Sequence, residues 1–371
     1  MRVPLLDVKA QYATIREPLL RAVEAVLAGG QWILGPAVRD LEERLAHYLA
    51  VPHAVGVASG TDALLIALRA LDCGPGTEVV CPAYSFFATA GAICNNGARP
   101  VFVDIEEATF NLDPRVLESV ISPRTRAVMP VHLFGQSADM GSIMDSCGKR
   151  GIPVIEDAAQ AIGATWHDTP VGGVGDLGCF SFYPSKNLGG AGDGGLITTR
   201  RADLADRVRV LRVHGSREKY KHERIGFNSR LDSLQAAILG VKLAHLEGWT
   251  AARASHARAY TQAFAGLDGL ITPVDAGLGK HVWNQYTLRV RRGSRDRLRN
   301  HLSENGIGSD VYYPIPLHLQ ECFADLGYRE GSLPVSEAAA RESVSIPVYP
   351  EMTADQQEFV IETIRDWVTA Q

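Results

Sequence analysis

Seven short apolar runs between residues 54 and 200 constrain the fold of this chain more than any other feature of its sequence. They are rich in Val, Ile and Phe, and the middle runs start about 20–26 residues apart, which leaves room for a helix between parallel strands. Unbroken apolar runs indicate strands that are covered on both faces. We therefore predict an α/β fold with a mostly parallel central sheet. The runs are 54–58, 79–81, 100–105, 127–134, 153–156, 178–182 and 195–199.

The C-terminal part of the chain has a different texture. Apolar residues recur at three- and four-residue intervals over 231–266, which predicts a long helix that ends near Glu247-Gly248, with glycine as its C-cap. Asn284–Arg291 alternates like a half-buried strand, and Arg295–Asn305 is an amphipathic helix stopped by Gly306. We expect a large domain over 1–247 and a smaller α+β domain over 248–371.

Composition excludes several classes of protein. The 37 Lys and Arg residues are outnumbered by 42 Asp and Glu residues, which argues against a nucleic-acid-binding protein. No apolar run is long enough to span a membrane, and the N-terminus lacks the apolar core of a signal peptide. The six cysteines form no C-x-x-C pair and no H-E-x-x-H is present, so we expect no metal site. A cytoplasmic location is the simplest expectation.

Two glycine-rich stretches match the dinucleotide-binding pattern G-x-G-x-x-G. They are Gly173–Gly178 and Gly190–Gly195. In a dinucleotide site the pattern follows a strand and opens a helix. Both stretches lead into apolar strands here, so we interpret them as tight turns.

The stretch Ser59–Leu64 joins a predicted strand directly to a helix. Free N–H groups at the start of a helix, together with the Thr61 hydroxyl, suit a phosphate group. An ordinary N-cap is the alternative interpretation.

A second candidate group lies at the end of the 153–156 run, where Glu156 and Asp157 follow buried-type residues. Ligands of open α/β sheets bind at the carboxyl ends of strands. Alternatively, Asp157 is a helix N-cap with Gln160 as its capping-box partner.

Lys186 is the third candidate, because it follows an aromatic strand and precedes a glycine-rich loop. A surface lysine is the ordinary explanation, but a desolvated lysine can act as an amine nucleophile. A phosphate site, a strand-end acid and a loop lysine together match the needs of pyridoxal phosphate.

The sequence resembles the DegT-type sugar aminotransferases, which are pyridoxal-phosphate enzymes of the aspartate-aminotransferase fold (fold type I). Six motifs occur in the family order and cover residues 1 to about 350. They are Ser59–Leu64, Pro82–Thr89, Val154–Gln160, Ser181–Leu188, Gly226–Asp232 and Tyr313–His318.

The resemblance implies cofactor roles for eight residues. Lys186 would be the Schiff-base lysine, Asp157 would hold the pyridinium nitrogen and Gln160 the ring hydroxyl. Phe86 would stack on the ring. The phosphate would be bound by Gly60, Thr61 and Ser181, joined by Asn228 of a second subunit in a homodimer with shared active sites.

Six further residues are candidates for substrate binding. The resemblance suggests sugar contacts for Tyr183, Tyr312 and Tyr313, and His318 near the nucleotide. Lys219 and Arg230 belong to a basic stretch over 200–230, part of which could meet a nucleotide diphosphate. Core packing and solvated surface charge are the alternatives for these residues.

The resemblance predicts amino transfer from L-glutamate to a nucleotide-linked keto-hexose, with C3 favoured over C4. Three alternatives remain: a 4-keto-sugar aminotransferase, a sugar dehydratase with the same cofactor, and a non-catalytic regulatory relative. The dehydratases carry His where this chain has Lys186, which argues against them.

Overall fold

The computed structural model describes residues 1–291 and 293–370 of the chain. Within these ranges, no helix is both long and apolar enough to cross a membrane. The α-helices are α1 (Val8–Gly29), α2 (Pro36–Tyr48), α3 (Gly60–Ala70), α4 (Ala88–Asn95), α5 (Leu117–Val120), α6 (Met140–Gly148), α7 (Ala202–Leu211), α8 (Ser233–Leu243), α9 (Leu246–Phe264), α10 (Arg295–Glu304), α11 (Pro334–Glu342) and α12 (Ala354–Thr369). The strands are β1 (His53–Val57), β2 (Glu78–Pro82), β3 (Arg99–Val103), β4 (Thr125–Val128), β5 (Ile155–Asp157), β6 (Thr165–Trp166), β7 (Thr169–Pro170), β8 (Leu177–Ser181), β9 (Gly195–Thr199), β10 (Ser216–Glu218), β11 (Lys221–His222), β12 (Leu270–Ile271), β13 (Tyr286–Val290) and β14 (Ser343–Ile346).

A central sheet contains all seven of the predicted apolar runs. Strands β3, β2 and β4 are parallel neighbours, and parallel bridges from Val128 to Val154 and from Val131 to Asp157 join β4 to β5. Strand β8 pairs parallel with β5, whereas β9 runs antiparallel between β8 and β1. The spatial order is therefore β3-β2-β4-β5-β8-β9-β1, which confirms the predicted α/β class. Both glycine-rich stretches lead into strands, β8 and β9, as predicted.

The carboxyl ends of three parallel strands meet at one edge of this sheet. Asp157 ends β5, Ser181 ends β8, and Ser59 and Gly60 follow β1. Helix α3 starts at that edge and packs an almost wholly buried apolar face on β8 and β9. Such an edge is where open α/β sheets bind ligands.

The C-terminal part of the chain forms a second hydrophobic cluster. Antiparallel strands β12, β13 and β14 carry it together with α9, α10 and α12. Strand β13 and helix α10 confirm the strand and helix predicted at 284–291 and 295–305. Val3 also belongs to this cluster and forms a parallel bridge with Ile307, so the first residues of the chain pack with its C-terminal part.

The single helix predicted to end near Glu247-Gly248 is wrong. Helix α8 ends at Leu243, and α9 begins at Leu246 with Gly248 inside its first turn. Ala244 and His245 separate the two helices with φ/ψ values of −64°/−19° and −102°/−9°, so the break occurs without a glycine. Leu246, the first residue of α9, is fully buried in the core of the large sheet.

Candidate active site

A cavity of about 560 Å³ opens at the carboxyl edge of the central sheet. Residues predicted from five of the six motifs come together on its wall, although they are spread over more than 250 positions of sequence. They are Gly60, Thr61, Phe86, Asp157, Gln160, Ser181, Tyr183, Lys186, Tyr312 and Tyr313.

One end of the cavity is formed by the N-terminus of α3. Ser59 is the N-cap, and its Oγ accepts a hydrogen bond from Asp62 N at 3.1 Å. The first N–H groups of a helix have no partner inside the helix, so those of Gly60 and Thr61 are suited to an anion. A Cβ on Gly60 would lie 2.6 Å from Ser181 Cβ, so only glycine lets the helix start approach β8 this closely. The capping and anion-binding interpretations are therefore compatible.

Asp157 lies deep in the cavity and is 4 % exposed. Burial raises the pKa of its carboxyl group, and the hydrogen bond from Thr89 Oγ1 to Oδ2 at 2.8 Å opposes that rise. Residues 158–164 form turns and no helix, so the capping-box alternative is wrong. Gln160 instead accepts from Phe134 N through Oε1 at 2.8 Å and donates to the Tyr313 hydroxyl through Nε2 at 3.0 Å.

Lys186 follows β8 and lies on the wall of the same cavity rather than on the outer surface. Its backbone N–H donates to Tyr183 O at 2.9 Å, which closes a tight turn after the strand. Burial lowers the pKa of Lys186 to about 8, and the nearby Asp157 carboxylate partly opposes that shift. About a tenth of the amine is thus unprotonated at pH 7, far more than for an ordinary lysine, and nucleophilic or proton-transfer chemistry requires this neutral form.

Aromatic side chains line the outer part of the cavity. Phe86 and Tyr183 are each 55 % exposed and line the cavity, so a ligand there can reach both rings. The ring centroids of Phe86 and Tyr313 are 5.9 Å apart. The buried Tyr84 hydroxyl fixes the Tyr312–Tyr313 segment, because it donates to Tyr312 O at 2.6 Å and accepts from Tyr313 N at 2.9 Å.

Four predicted residues do not reach this cavity. Lys219 and Asn228 are exposed, and Arg230 is half-buried; none of these three lines the cavity of its own chain. Lys219 lies in the turn of the β10–β11 hairpin, and Asn228 forms a bridge with Val213. His318, which we expected near the nucleotide, lies in the core instead: it is 1 % exposed, and its Nε2 contacts Glu337 Oε1 at 3.1 Å.

Several arginines of the basic stretch over 200–230 are engaged by acidic partners. Arg212 contacts Glu42 at 2.6 Å, and Arg217 contacts Asp206 at 2.6 Å. Ion pairs within the chain thus account for Arg212 and Arg217, which agrees with the alternative interpretation of this stretch as structural charge.

The sequence did not single out every residue of the cavity wall. Thr89, of the Pro82–Thr89 motif, does not itself line the cavity, but its hydrogen bond to Asp157 joins positions 68 residues apart. Ser85, Ser185, Asp193 and Gln285 also line the cavity. Across the described residues, no group of three His, Cys, Asp or Glu side chains is arranged to hold a metal ion.

Comparison with known proteins gives the family. Residues 13–365 match the DegT/DnrJ/EryC1/StrS aminotransferase family. The chain is 47 % identical over 369 residues to a pleiotropic regulatory protein of Geobacillus stearothermophilus, covering 99 % of both chains. It is 44 % identical over 366 residues to the dTDP-3-amino-3,4,6-trideoxy-alpha-D-glucose transaminase of Streptomyces venezuelae, covering 99 % and 96 %. It is 43 % identical over 363 residues to the UDP-N-acetyl-3-dehydro-alpha-D-glucosamine 3-aminotransferase of Acidithiobacillus ferrooxidans, covering 98 % and 97 %.

Solved structures agree with this match. The S. venezuelae protein DesV in complex with a ketimine intermediate is 44 % identical, with a TM-score of 0.96 over 99 % of this chain and 98 % of that one. The Bacillus subtilis protein NtdA with bound cofactor PMP is 34 % identical, with a TM-score of 0.93 over 99 % and 85 %. The chain therefore belongs to the DegT/DnrJ/EryC1/StrS family and is a pyridoxal-phosphate-dependent aminotransferase of fold type I.

Proposed function

We propose that this enzyme transfers an amino group from L-glutamate to C3 of a nucleotide-linked keto-hexose, for amino-sugar biosynthesis. The observation that carries the proposal is the meeting of Lys186 and Asp157 in one cavity with the start of α3. The names of the S. venezuelae and A. ferrooxidans relatives support a nucleotide sugar and amination at C3.

The residues of the cavity fit pyridoxal phosphate. The backbone N–H groups of Gly60 and Thr61, at the start of α3, would bind the phosphate, together with the hydroxyl groups of Thr61 and Ser181. The Asp157 carboxylate would face the pyridine nitrogen, Gln160 the ring hydroxyl and Phe86 the ring face. When bound, the cofactor supplies an electron-poor ring that accepts the electron pair released from the substrate carbon.

Lys186 would move the proton in this reaction. Its amine has a pKa of about 8, so it can take up a proton from the substrate carbon and return it without a large energetic penalty. Asp157 is held by Thr89 and lies out of water, so its charge would keep a proton on the cofactor's ring nitrogen.

The tyrosine side chains of the cavity wall would contact the sugar. Tyr183 and Tyr312 border the cavity beside Lys186, and Tyr313 is fixed by Gln160 and by the Tyr84 hydroxyl. Their rings and hydroxyl groups can pack on a pyranose and bind its hydroxyl groups.

We also propose that two copies of the chain share their active sites. Lys219, Asn228 and Arg230 do not line the cavity of their own chain, and the first two are exposed. In a symmetric dimer, Asn228 would complete the phosphate site of the other copy, and Lys219 and Arg230 would bind its substrate.

Two experiments test these assignments. Purified holoenzyme is incubated with glutamate and, separately, with 3-keto and 4-keto nucleotide sugars of deoxythymidine and uridine, and NMR locates the new C–N bond. Amination at C4 alone would overturn the C3 proposal.

Borohydride reduction and peptide mapping should place the pyridoxyl group on Lys186; a label on another lysine would overturn that assignment.

A regulatory role is the second candidate, because the G. stearothermophilus relative carries a regulatory name. Holoenzyme that aminates none of these nucleotide sugars with glutamate would favour that role.

A further inference from the structure

Glu156 precedes Asp157 on β5 and has no part in the chemistry proposed above. Adjacent residues of a strand point to opposite faces, so Glu156 points away from the cavity. Its side chain is fully buried and accepts four hydrogen bonds. Oε2 accepts from His132 Nε2 at 2.9 Å and Gly172 N at 2.7 Å, and Oε1 accepts from Val174 N at 2.9 Å and Gly175 N at 2.7 Å.

His132 connects Glu156 to the backbone of Asp157. Its Nδ1 accepts a hydrogen bond from Ala138 N at 3.1 Å, so the ring proton lies on Nε2 and is donated to Glu156. The backbone N–H of His132 donates to Asp157 O at 3.0 Å, and Asp157 N donates to Pro130 O at 2.9 Å. The segment over 130–132 therefore fixes one side of Asp157.

The turn over 172–175 connects Glu156 to the other side of Asp157. This turn leads into β8, where Cys179 pairs with Asp157 and its carbonyl accepts from Ala158 N at 2.8 Å. Gly172 has φ +82°, and a Cβ there would overlap the Phe180 ring, so only glycine fits at the start of this turn. Glu156 thus joins both neighbours of β5 at the residue before Asp157.

We propose that Glu156 is a positioning residue for Asp157: it holds the two flanking segments so that the Asp157 carboxylate keeps its place in the cavity. This inference rests on the proposed role of Asp157 toward the cofactor's ring nitrogen. Glu156 itself touches neither the cavity nor a substrate, so its effect passes through the backbone of Asp157.

The pattern of donors makes glutamine a sharp test. Each carboxylate oxygen of Glu156 receives two donors, so in Glu156→Gln the NH₂ group meets two N–H groups in either amide orientation. The substitution preserves the size and shape of the side chain but places the N–H donors of its amide against other N–H donors.

The chain offers a matched control in a second buried Glu–His pair. Glu337 accepts from His318 Nε2 at 3.1 Å, Gly331 N at 2.9 Å and Leu333 N at 3.3 Å, and it does not line the cavity. Glu337→Gln therefore replaces a second buried, histidine-bound carboxylate by an amide without touching the segments that hold Asp157. Among the described residues, only the shared Gly331 N–H donates to Oε2, so the amide there meets a single opposed donor.

The experiment compares wild type, E156Q, E337Q, D157N and the E156Q/D157N double variant as full chains. Equilibrium dialysis measures cofactor affinity, the ¹⁵N shift of labelled pyridoxal phosphate reports protonation of the ring nitrogen, and thermal unfolding measures stability. We expect E156Q to bind the cofactor about tenfold more weakly and to change the ¹⁵N pH titration, while E337Q alters stability only. In the D157N background, E156Q should add little to either cofactor measurement.

Wild-type affinity and titration in E156Q would overturn the inference, as would equal effects of E156Q and E337Q on both. If D157N itself leaves the ¹⁵N titration unchanged, the proposed role of Asp157 fails, and this inference with it. Should E156Q not fold, His132→Phe removes one of the four donors, and a wild-type titration in that variant would likewise overturn the inference.

Discussion

Thr89 Oγ1 donates a hydrogen bond to Asp157 Oδ2 at 2.8 Å, and both side chains are buried. Thr89 lies on α4 and Asp157 at the end of β5, so the contact depends on the packing of α4 against the sheet. Because the hydrogen bond favours the charged form of Asp157, it offsets part of the effect of burial on the pKa of that carboxyl group.

Removing this hydroxyl should make Asp157 harder to ionise. In Thr89→Val the pKa of Asp157 rises further, so its carboxylate is lost at a higher pH than in wild type. The acidic limb of the kcat/KM–pH profile should shift to higher pH by about 0.5–1 pH unit. Thr89→Ser keeps the hydroxyl group and should retain the wild-type limb; a shift of equal size in both variants would contradict this role for the hydrogen bond.

Lys186 should cost the cofactor-free protein stability. The pKa of Lys186 is about 8 in the folded protein against 10.5 ordinarily, because burial disfavours its ammonium form. The unfolded chain therefore binds more protons between these values, and stability rises with pH through that window. Lys186→Met should raise the Tm at neutral pH by roughly 2–4 °C, with the gain disappearing above about pH 10.5.

Exposed Lys149 provides the control for that measurement, since its Nζ lies 3.7 Å from Glu118 at the surface. Lys149→Met should leave the Tm nearly unchanged. A gain in Lys186→Met that does not vary with pH would assign it to packing rather than to the buried charge.

Gly60→Ala should weaken cofactor binding. The new Cβ would lie 2.6 Å from Ser181 Cβ, so the start of α3 must move away from β8. We expect roughly tenfold weaker binding in equilibrium dialysis. Gly148→Ala is the control, because a Cβ there meets no atom within 4 Å, and equal losses in the two variants would show a nonspecific effect.

Mixing two inactive variants tests the shared sites. Lys186→Ala and Asn228→Ala subunits, co-expressed at equal levels, should regain about a quarter of wild-type activity, because half of the randomly paired dimers have one intact site. Activity no higher than that of the separate variants would show that Asn228 acts within its own chain.

The strands and the groups at their ends could be predicted because the signals are local. An apolar run that ends in Asp157, and an aromatic strand followed by Lys186, are visible within a few residues of sequence. The partners of these groups were not visible. Thr89 reaches Asp157 only through the packing of α4, and the four donors around Glu156 come from segments that pair with β5 on either side.

Two errors have related physical causes. Periodicity records which face of a helix is buried but not whether the helix is continuous, so the break at Ala244 and His245 left no mark in the apolar pattern of 231–266. For His318, the sequence could not distinguish an imidazole beside a ligand from one that is paired with Glu337 inside the core.

The bridge between Val3 and Ile307 has a consequence for synthesis on the ribosome. Val3 leaves the exit tunnel 304 residues before Ile307, the residue with which it forms a bridge. Val3 must therefore wait, undocked, until the chain has been translated beyond Ile307, while the central sheet can already assemble. During that interval, Val3 lacks the apolar contacts that bury it in the finished fold.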